Sequence, residues 1–362
     1  MDARTDRART SPPIGCAMAL VAAVFCGGGR ALSKTDDPAP ASSARPGSTP
    51  SRDADPSRSG DEPKPAAYLF AHMMKQDYGR LYYSVSRDGL RWEPLHGGRR
   101  AHGEYRGHPD ICRGHDGRYY LLGNYSRKPN IDIWVSKGLV RWSKLRDFRP
   151  DASRTPDFQP AMTYHGAPKI YYDRPSGQYV ITWHTPSARP DPKDPERFWA
   201  SMRTLYVTSK DLVRFSDPKR LFAFDMATID VILRRQGRRY YAFLKDERYP
   251  SYAWATGKSI RVSTAPALLG PYGRPSPRIT PNFREAPTLI PKPDGGGWYL
   301  YYEQYPGVSY GLSTARTLDG PWHDVYCMKY KVPAAARHGC MIPITQTQYD
   351  AIVAAYGGKD GT

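Results

Sequence analysis

Four polar residues stand at the heads of β-rich runs spread along the chain. They are Asp110 before Ile111-Cys112, Asp230 before Val231-Ile232-Leu233, Glu285 before Ala286-Pro287-Thr288-Leu289-Ile290, and His338 before Gly339-Cys340-Met341-Ile342. Brought together, such groups suit general acid–base chemistry. One carboxyl kept protonated gives its proton to a poor leaving group, and a second group takes a proton from the attacking nucleophile. A like-charged neighbour raises the pKa of the donor. His108, two residues before Asp110, could fill the accepting role, because imidazole titrates near neutrality. Carboxylates are rarely buried without a partner or a task. Two plainer readings stand beside this one: Asp230 as a structural carboxylate paired with an arginine, and Glu285 as the partner of Arg284. Strand alternation points the Arg284 and Glu285 side chains in opposite directions.

The elements that must position these heads are visible in a recurring phrase: a strand, a Ser or Thr, then a turn ending in an aromatic residue. It appears at Tyr82-Tyr83-Ser84-Val85-Ser86 running to Trp92, at Ile133-Trp134-Val135-Ser136 running to Trp142, and at Leu205-Tyr206-Val207-Thr208-Ser209 running to Phe215. Looser copies run from Ser263 to Tyr272 and from Ser313 to Trp322. The serines at 86, 136, 209, 263 and 313 are 50, 73, 54 and 50 residues apart. A period near 50 built from short strands marks a propeller blade, and there are five. The sequence therefore predicts an all-β fold, a five-bladed β-propeller. The segment 184–201 lengthens one repeat.

The ends of the repeat array fit together. Tyr68-Leu69-Phe70-Ala71 is an aromatic strand with no inner strand before it, and Gly339-Cys340-Met341-Ile342-Pro343-Ile344 is an inner strand with nothing after it. The C-terminal strand should supply the inner strand of the blade begun at 67, closing the ring and leaving no open edge. Residues 346–356 read as a short terminal helix. Since inner strands meet the central channel, Asp110 with His108, Asp230, Glu285 and His338 should converge at the axis.

Composition bounds the remaining possibilities. The 362 residues carry 53 basic and 35 acidic side chains, for a net charge of +18. Those basic residues are scattered through every repeat with no nucleic-acid motif, which argues against a nucleic-acid partner. The five cysteines (16, 26, 112, 327 and 340) make no disulfide framework, and His108, Cys112 and His115 match no zinc spacing. Residues 1–33 read as a signal peptide or lipoprotein leader: Arg4, Arg7 and Arg9 precede an apolar run over 14–25, with Cys26 as a possible lipidation point. Residues 34–66 read as a disordered Pro/Ser-rich linker, which leaves 67–362 as the folded domain. No stretch reaches the 18 apolar residues of a membrane span. The chain is expected to be exported and monomeric.

The repeat, together with Phe283-Arg284-Glu285-Ala286-Pro287-Thr288-Leu289-Ile290, Thr228-Ile229-Asp230 and Arg337-His338-Gly339, resembles glycoside hydrolase family 43 over roughly residues 67–344. The resemblance implies inverting hydrolysis of arabinofuranosyl, xylosyl or galactosyl linkages in an oligo- or polysaccharide. It implies Glu285 as general acid, Asp230 as the residue that tunes and orients it, and His338 as a group reaching the centre. No cofactor is required, though a calcium or other cation at the axis is implied as a possibility. One departure stands out. The family's base is an Asp directly before Pro on the first inner strand, and here His108 occupies that place, so the base is Asp110 or His108. Substrate contacts are expected from His338, Arg284, Trp183, His184 and Tyr305. Two other readings share the fold: a lectin-like propeller that binds without hydrolysis, and a glycoside phosphorylase using Arg106, Arg284 and Arg337. The run Lys245-Asp246-Glu247-Arg248 reads as a solvated turn or an internal ion pair, with a rim contact to sugar as a further use.

Overall fold

The structure is a computed structural model describing residues 64–124, 130–252, 255–305 and 307–357. The leader and all but the last three residues of the linker lie outside the described residues. Five antiparallel sheets form the five blades of a β-propeller. Their inner strands are Ala336–Ile344, Asp110–Arg113, Gly166–Asp173, Thr228–Gln236 and Arg284–Pro291, for blades one to five in that order. The aromatic strands follow as Ala67–Met74, Tyr119–Asn124, Gln178–Pro186, Arg239–Asp246 and Trp298–Gln304. The serine strands are Asp77–Ser86, Ile131–Ser136, Met202–Ser209, Ser259–Ala265 and Ser309–Ala315.

The recurrent serine has a mechanical role. Its hydroxyl accepts the backbone N–H that closes the turn after the strand: Gly89 to Ser86 at 2.9 Å, Leu139 to Ser136 at 2.9 Å, Leu212 to Ser209 at 2.8 Å. The two looser copies differ because Ser263 and Ser313 donate outward instead, to the Gly273 carbonyl and to Asp324. The aromatic residue ending the turn reaches the neighbouring blade, as when Trp142 Nε1 donates to the Tyr83 hydroxyl at 2.6 Å. Burying an aromatic of this size stabilises by about 1.5–3 kcal/mol, and these residues fill the clefts between blades. Blade four has three strands, and residues 273–279 cover its outer edge through Gly273 N–H to Thr264 O, Ser276 N–H to Val262 O and Ile279 N–H to Ile260 O.

Ring closure follows the expected pairing, from Ala67 opposite Ile344 to His72 opposite Gly339. The terminal helix, Gln346–Tyr356, begins with a capping box at Thr345 and Gln348. Gln348 donates to the Tyr119 hydroxyl at 2.7 Å and Tyr356 to the Val140 carbonyl at 2.5 Å, which ties blade one to blade two. No helix of the described residues is long and apolar enough to cross a membrane. Among the described residues the three cysteines, 112, 327 and 340, are free thiols.

Candidate active site

Three inner strands carry a β-bulge at the same register. The pairing slips between Gly166 and Lys169, between Ile229 and Ile232, and between Glu285 and Thr288. The bulged residues Ala167, Asp230 and Ala286 all have positive φ, at 37°, 53° and 48°. Non-glycine residues in this region carry strain, and bulges of this kind re-aim side chains beside functional sites. A fourth irregularity isolates His338 between Gly339, paired with His72, and Arg337, paired with Met73. Two of the bulges and the fourth irregularity fall at the head residues Asp230, Glu285 and His338.

The aromatic strands contribute five equivalent positions, each five residues after the first aromatic of its strand: Met73, Asn124, His184, Lys245 and Glu303. Glycine makes room for two of them. A Cβ on Gly166 would sit 2.0 Å from His184 Nε2, and one on Gly107 would sit 2.1 Å from the Asn124 backbone nitrogen, at a φ of 119°. Asn124 then holds the backbone N–H of His108 at 3.2 Å through its Oδ1 and donates to the His165 carbonyl at 2.8 Å.

Glu285 is the centre of the cluster. Its Oε1 lies 3.0 Å from His338 Nε2 and 3.5 Å from Arg337 Nη2, and its Oε2 accepts from Lys245 Nζ at 2.8 Å. Burial alone would raise its carboxyl, but Lys245 and His338 outweigh burial and hold it well below the usual carboxylate range. Lys245 lies 2.9 Å from Glu247 and 4.3 Å above the Tyr305 ring. Glu247 in turn meets Lys258 at 2.5 Å, and Lys258 meets Glu196 of the inserted segment at 3.1 Å. Charges thus alternate from the surface insert to the axis. Exposure falls along the cluster, from Tyr78 at 53 % to the Glu285 side chain at 12 % and Glu303 at 0 %. The site is open on one side only.

The expected residues divide into three groups. His338, Tyr305 and Asp230 belong to the Glu285 cluster, Asp230 through its Oδ2, which accepts the Ala286 N–H at 3.0 Å and so anchors the backbone next to Glu285. His108 and His184 lie beside it: the His108 and His338 rings are 4.6 Å apart, and His108 Nε2 is 2.8 Å from the Tyr78 hydroxyl. Burial drives the His108 imidazole well below its usual pKa, helped by the charges of His338 and Lys169, and takes His184 down to about 4.

Asp110, Trp183 and Arg284 are directed elsewhere. Asp110 faces a separate cavity of about 10 Å³ lined by Lys169, Val231 and Arg234. One of its oxygens accepts the Ile170 N–H at 2.7 Å and the other lies 3.7 Å from Lys169 Nζ. Trp183 packs in the core between blades two and three, against Ile131 and Ile181. Arg284 donates to the carbonyls of Asn282 and Phe283 rather than to Glu285, as strand alternation requires. The run 245–248 is an internal ion-pair network, with Asp246 held by Arg248 and Arg261 at 2.7 Å each.

Three residues of the cluster stand outside the sequence reading: Glu303, Tyr78 and the site-directed role of Lys245. A signal for two of them exists. Aligning the aromatic strands on their first aromatic residue puts Asn124, His184, Lys245 and Glu303 in one column, where polar residues interrupt an otherwise apolar strand. Among the described residues Glu285, Glu303 and His338 are the group whose ligand-type atoms come within 4.8 Å of one another. Lys245 and Arg337 already supply positive charge at those carboxylates.

The model of the family described as "Probable glycosyl hydrolase domain", a group related to glycoside hydrolase family 43, matches residues 64–350, and the chain belongs to that family. A curated relative, the α-L-arabinofuranosidase of Bifidobacterium longum, is 26 % identical over 198 residues, covering 48 % of this chain. The match spans 18 % of that much longer relative. Among solved structures, the α-L-arabinofuranosidase of Lactobacillus brevis is similar at a TM-score of 0.46 and 18 % identity, covering 61 % of this chain and 72 % of the other. An exo-β-1,3-galactanase of Clostridium thermocellum is similar at 0.47 and 15 %, covering 64 % and 50 %.

Proposed function

We propose that this protein is an inverting glycoside hydrolase acting on arabinofuranosyl, xylosyl or galactosyl linkages of an oligo- or polysaccharide. The observation that carries the reading is the meeting of Glu285 with His338, at 3.0 Å, on the open side of a family-43-like axis. Breaking a glycosidic bond requires a proton for the departing sugar oxygen. Glu285 alone is a poor reservoir, because Lys245 and His338 keep it ionised. The pair is a good one: the proton missing from Oε1 rests on Nε2 across one hydrogen bond. As charge builds on the leaving oxygen, Glu285 passes a proton to it and takes one from His338. Asp230 keeps the acid's backbone in place through the Ala286 N–H.

His108 is the proposed base. It holds the place before Pro109 where the resembled family carries its base, and its ring centroid is 4.6 Å from that of His338. Asp110 has both oxygens engaged inside a cavity with room for about one water and none for a sugar. The reaction so written uses no cofactor, and every group in it comes from one chain, so a monomer suffices. A polymeric substrate fits the export expected from residues 1–33. The test is sugar release from aryl glycosides and polysaccharides, with the anomer of the product read by NMR. Release of the inverted anomer is expected, and it should disappear in Glu285→Gln. Glycan binding without release from any substrate would instead favour a binding propeller, and release that depends on phosphate a phosphorylase.

A further inference from the structure

Glu303 lies directly opposite Glu285 on the adjacent strand of blade five, and its side chain is completely buried. Like charges facing each other across a strand pair repel, and a fully buried carboxylate needs a partner or a task. The surroundings supply both. Glu303 Oε2 accepts the backbone N–H of His338 at 3.0 Å and lies 3.5 Å from its Nε2, while Oε1 meets Nε of Arg337. His338 therefore stands between two carboxylates. One is open to substrate, and the other is not.

Resting on the hydrolase reading above, we infer that Glu303 is a positioning residue that keeps His338 protonated and aimed at Glu285. The Glu285–His338 pair is thereby loaded with the proton that the leaving group needs. The step balances simply. The His338 N–H bond breaks as an O–H bond forms on Glu285, the Glu285 proton goes to the departing oxygen, and solvent reprotonates His338. Arg337 cannot substitute, since guanidinium does not give up its proton in this range.

The groups around His338 agree with this assignment. On the acidic side are Glu285 and Glu303 from blade five and Asp230 from blade four. On the other are His108 and His184, both held neutral by burial, the Tyr78 ring at 6.4 Å, and Arg337, whose own charge is answered by Glu303. Burial pulls the His338 imidazole down, Glu303 and then Glu285 push it up, and the net direction is up. Burial, with the charge of Glu285 behind it, also lifts Glu303 above the ordinary carboxylate range, against His338 and Arg337.

The test is a ¹⁵N NMR titration of the imidazoles in the intact protein, with the His338 signal assigned through His338→Gln. The wild-type midpoint should lie above the ordinary imidazole value. Glu303→Gln should lower it by about 1–3 pH units, and the alkaline limb of kcat/KM should move the same way with KM little changed. Glu303→Asp, which keeps the charge, should restore most of the shift. A midpoint and limb left in place by Glu303→Gln would overturn the assignment. So would a wild-type midpoint at or below the ordinary value, a reading that does not need Glu303→Gln to fold. Should no glycoside be turned over, the hydrolase reading fails by itself and the titration still decides for or against Glu303.

Discussion

Glu285 and Asp110 each belong to an inner strand, the first partly exposed and the second buried, and each faces a buried lysine, yet they are held in opposite states. At Glu285 the lysine is 2.8 Å away with His338 and Arg337 joining it, and the carboxyl is driven down. At Asp110 burial dominates: the lysine is 3.7 Å away, beyond hydrogen-bond reach, and the carboxyl is raised despite Lys169 and the Ile170 N–H. A lysine near a carboxylate is thus no guide to its ionisation. The number of donors touching the oxygens, set against the loss of water, decides it. The difference also separates a group facing the open side from one sealed in the channel.

The largest test of that contrast is paired substitution. Glu285→Gln should cost about 10²–10⁴-fold in kcat/KM, whereas Asp110→Asn should leave turnover within a few-fold of wild type. The reverse pattern would make Asp110 the base. Next in size, His108→Ala should lower kcat by about 10²-fold, and His108→Asp, the residue the family uses there, should recover much of it in a single-turnover assay.

A subtler test uses stability against pH. Glu285 is depressed in the folded state, so its contribution is present above the ordinary glutamate value and lost as pH falls through the folded one. Asp110 is raised, so its contribution is present below the ordinary aspartate value and lost as pH rises through the folded one. Melting curves across the acid range should therefore show wild type gaining on Glu285→Gln as pH rises, and Asp110→Asn gaining on wild type. Parallel slopes would erase the contrast. The smallest effect belongs to Glu196→Gln at the far end of the charge chain. Its carboxylate is half exposed, so it should change stability by about 0.2–1 kcal/mol at most.

Much of the architecture was legible before any coordinates. The serine spacing marked five blades because the serine strand recurs once per blade, with Ser86, Ser136 and Ser209 closing the same turn, and the orphaned strand at 67 demanded the one at 339–344. Glu285 and His338 were expected at one point and are hydrogen-bonded. What escaped reading depended on local departures from strand geometry. Two residues apart, His108 and Asp110 would share one face of a continuous strand, but the strand begins only at Asp110. Gly107-His108-Pro109 precedes it as irregular chain, so the alternation does not apply there. Trp183 was expected to contact substrate, yet it neighbours His184 on a regular strand and so faces the other way, into the core. Glu303 hid inside an aromatic strand, and only the comparison of repeats exposes it.

The strand that closes the ring, Ala336–Ile344, also carries Arg337 and His338. A ribosome makes this strand after the other eighteen of the described residues, long after its partner Ala67–Met74, and chains generally fold in the order they emerge. The sheets of blades two to five contain no strand from it, but Arg337 and His338 reach Glu285 only when the circle shuts. Until then Glu285 and Glu303 face each other with Lys245 alone to offset them. Closing the ring and completing the Glu285 cluster are therefore one event.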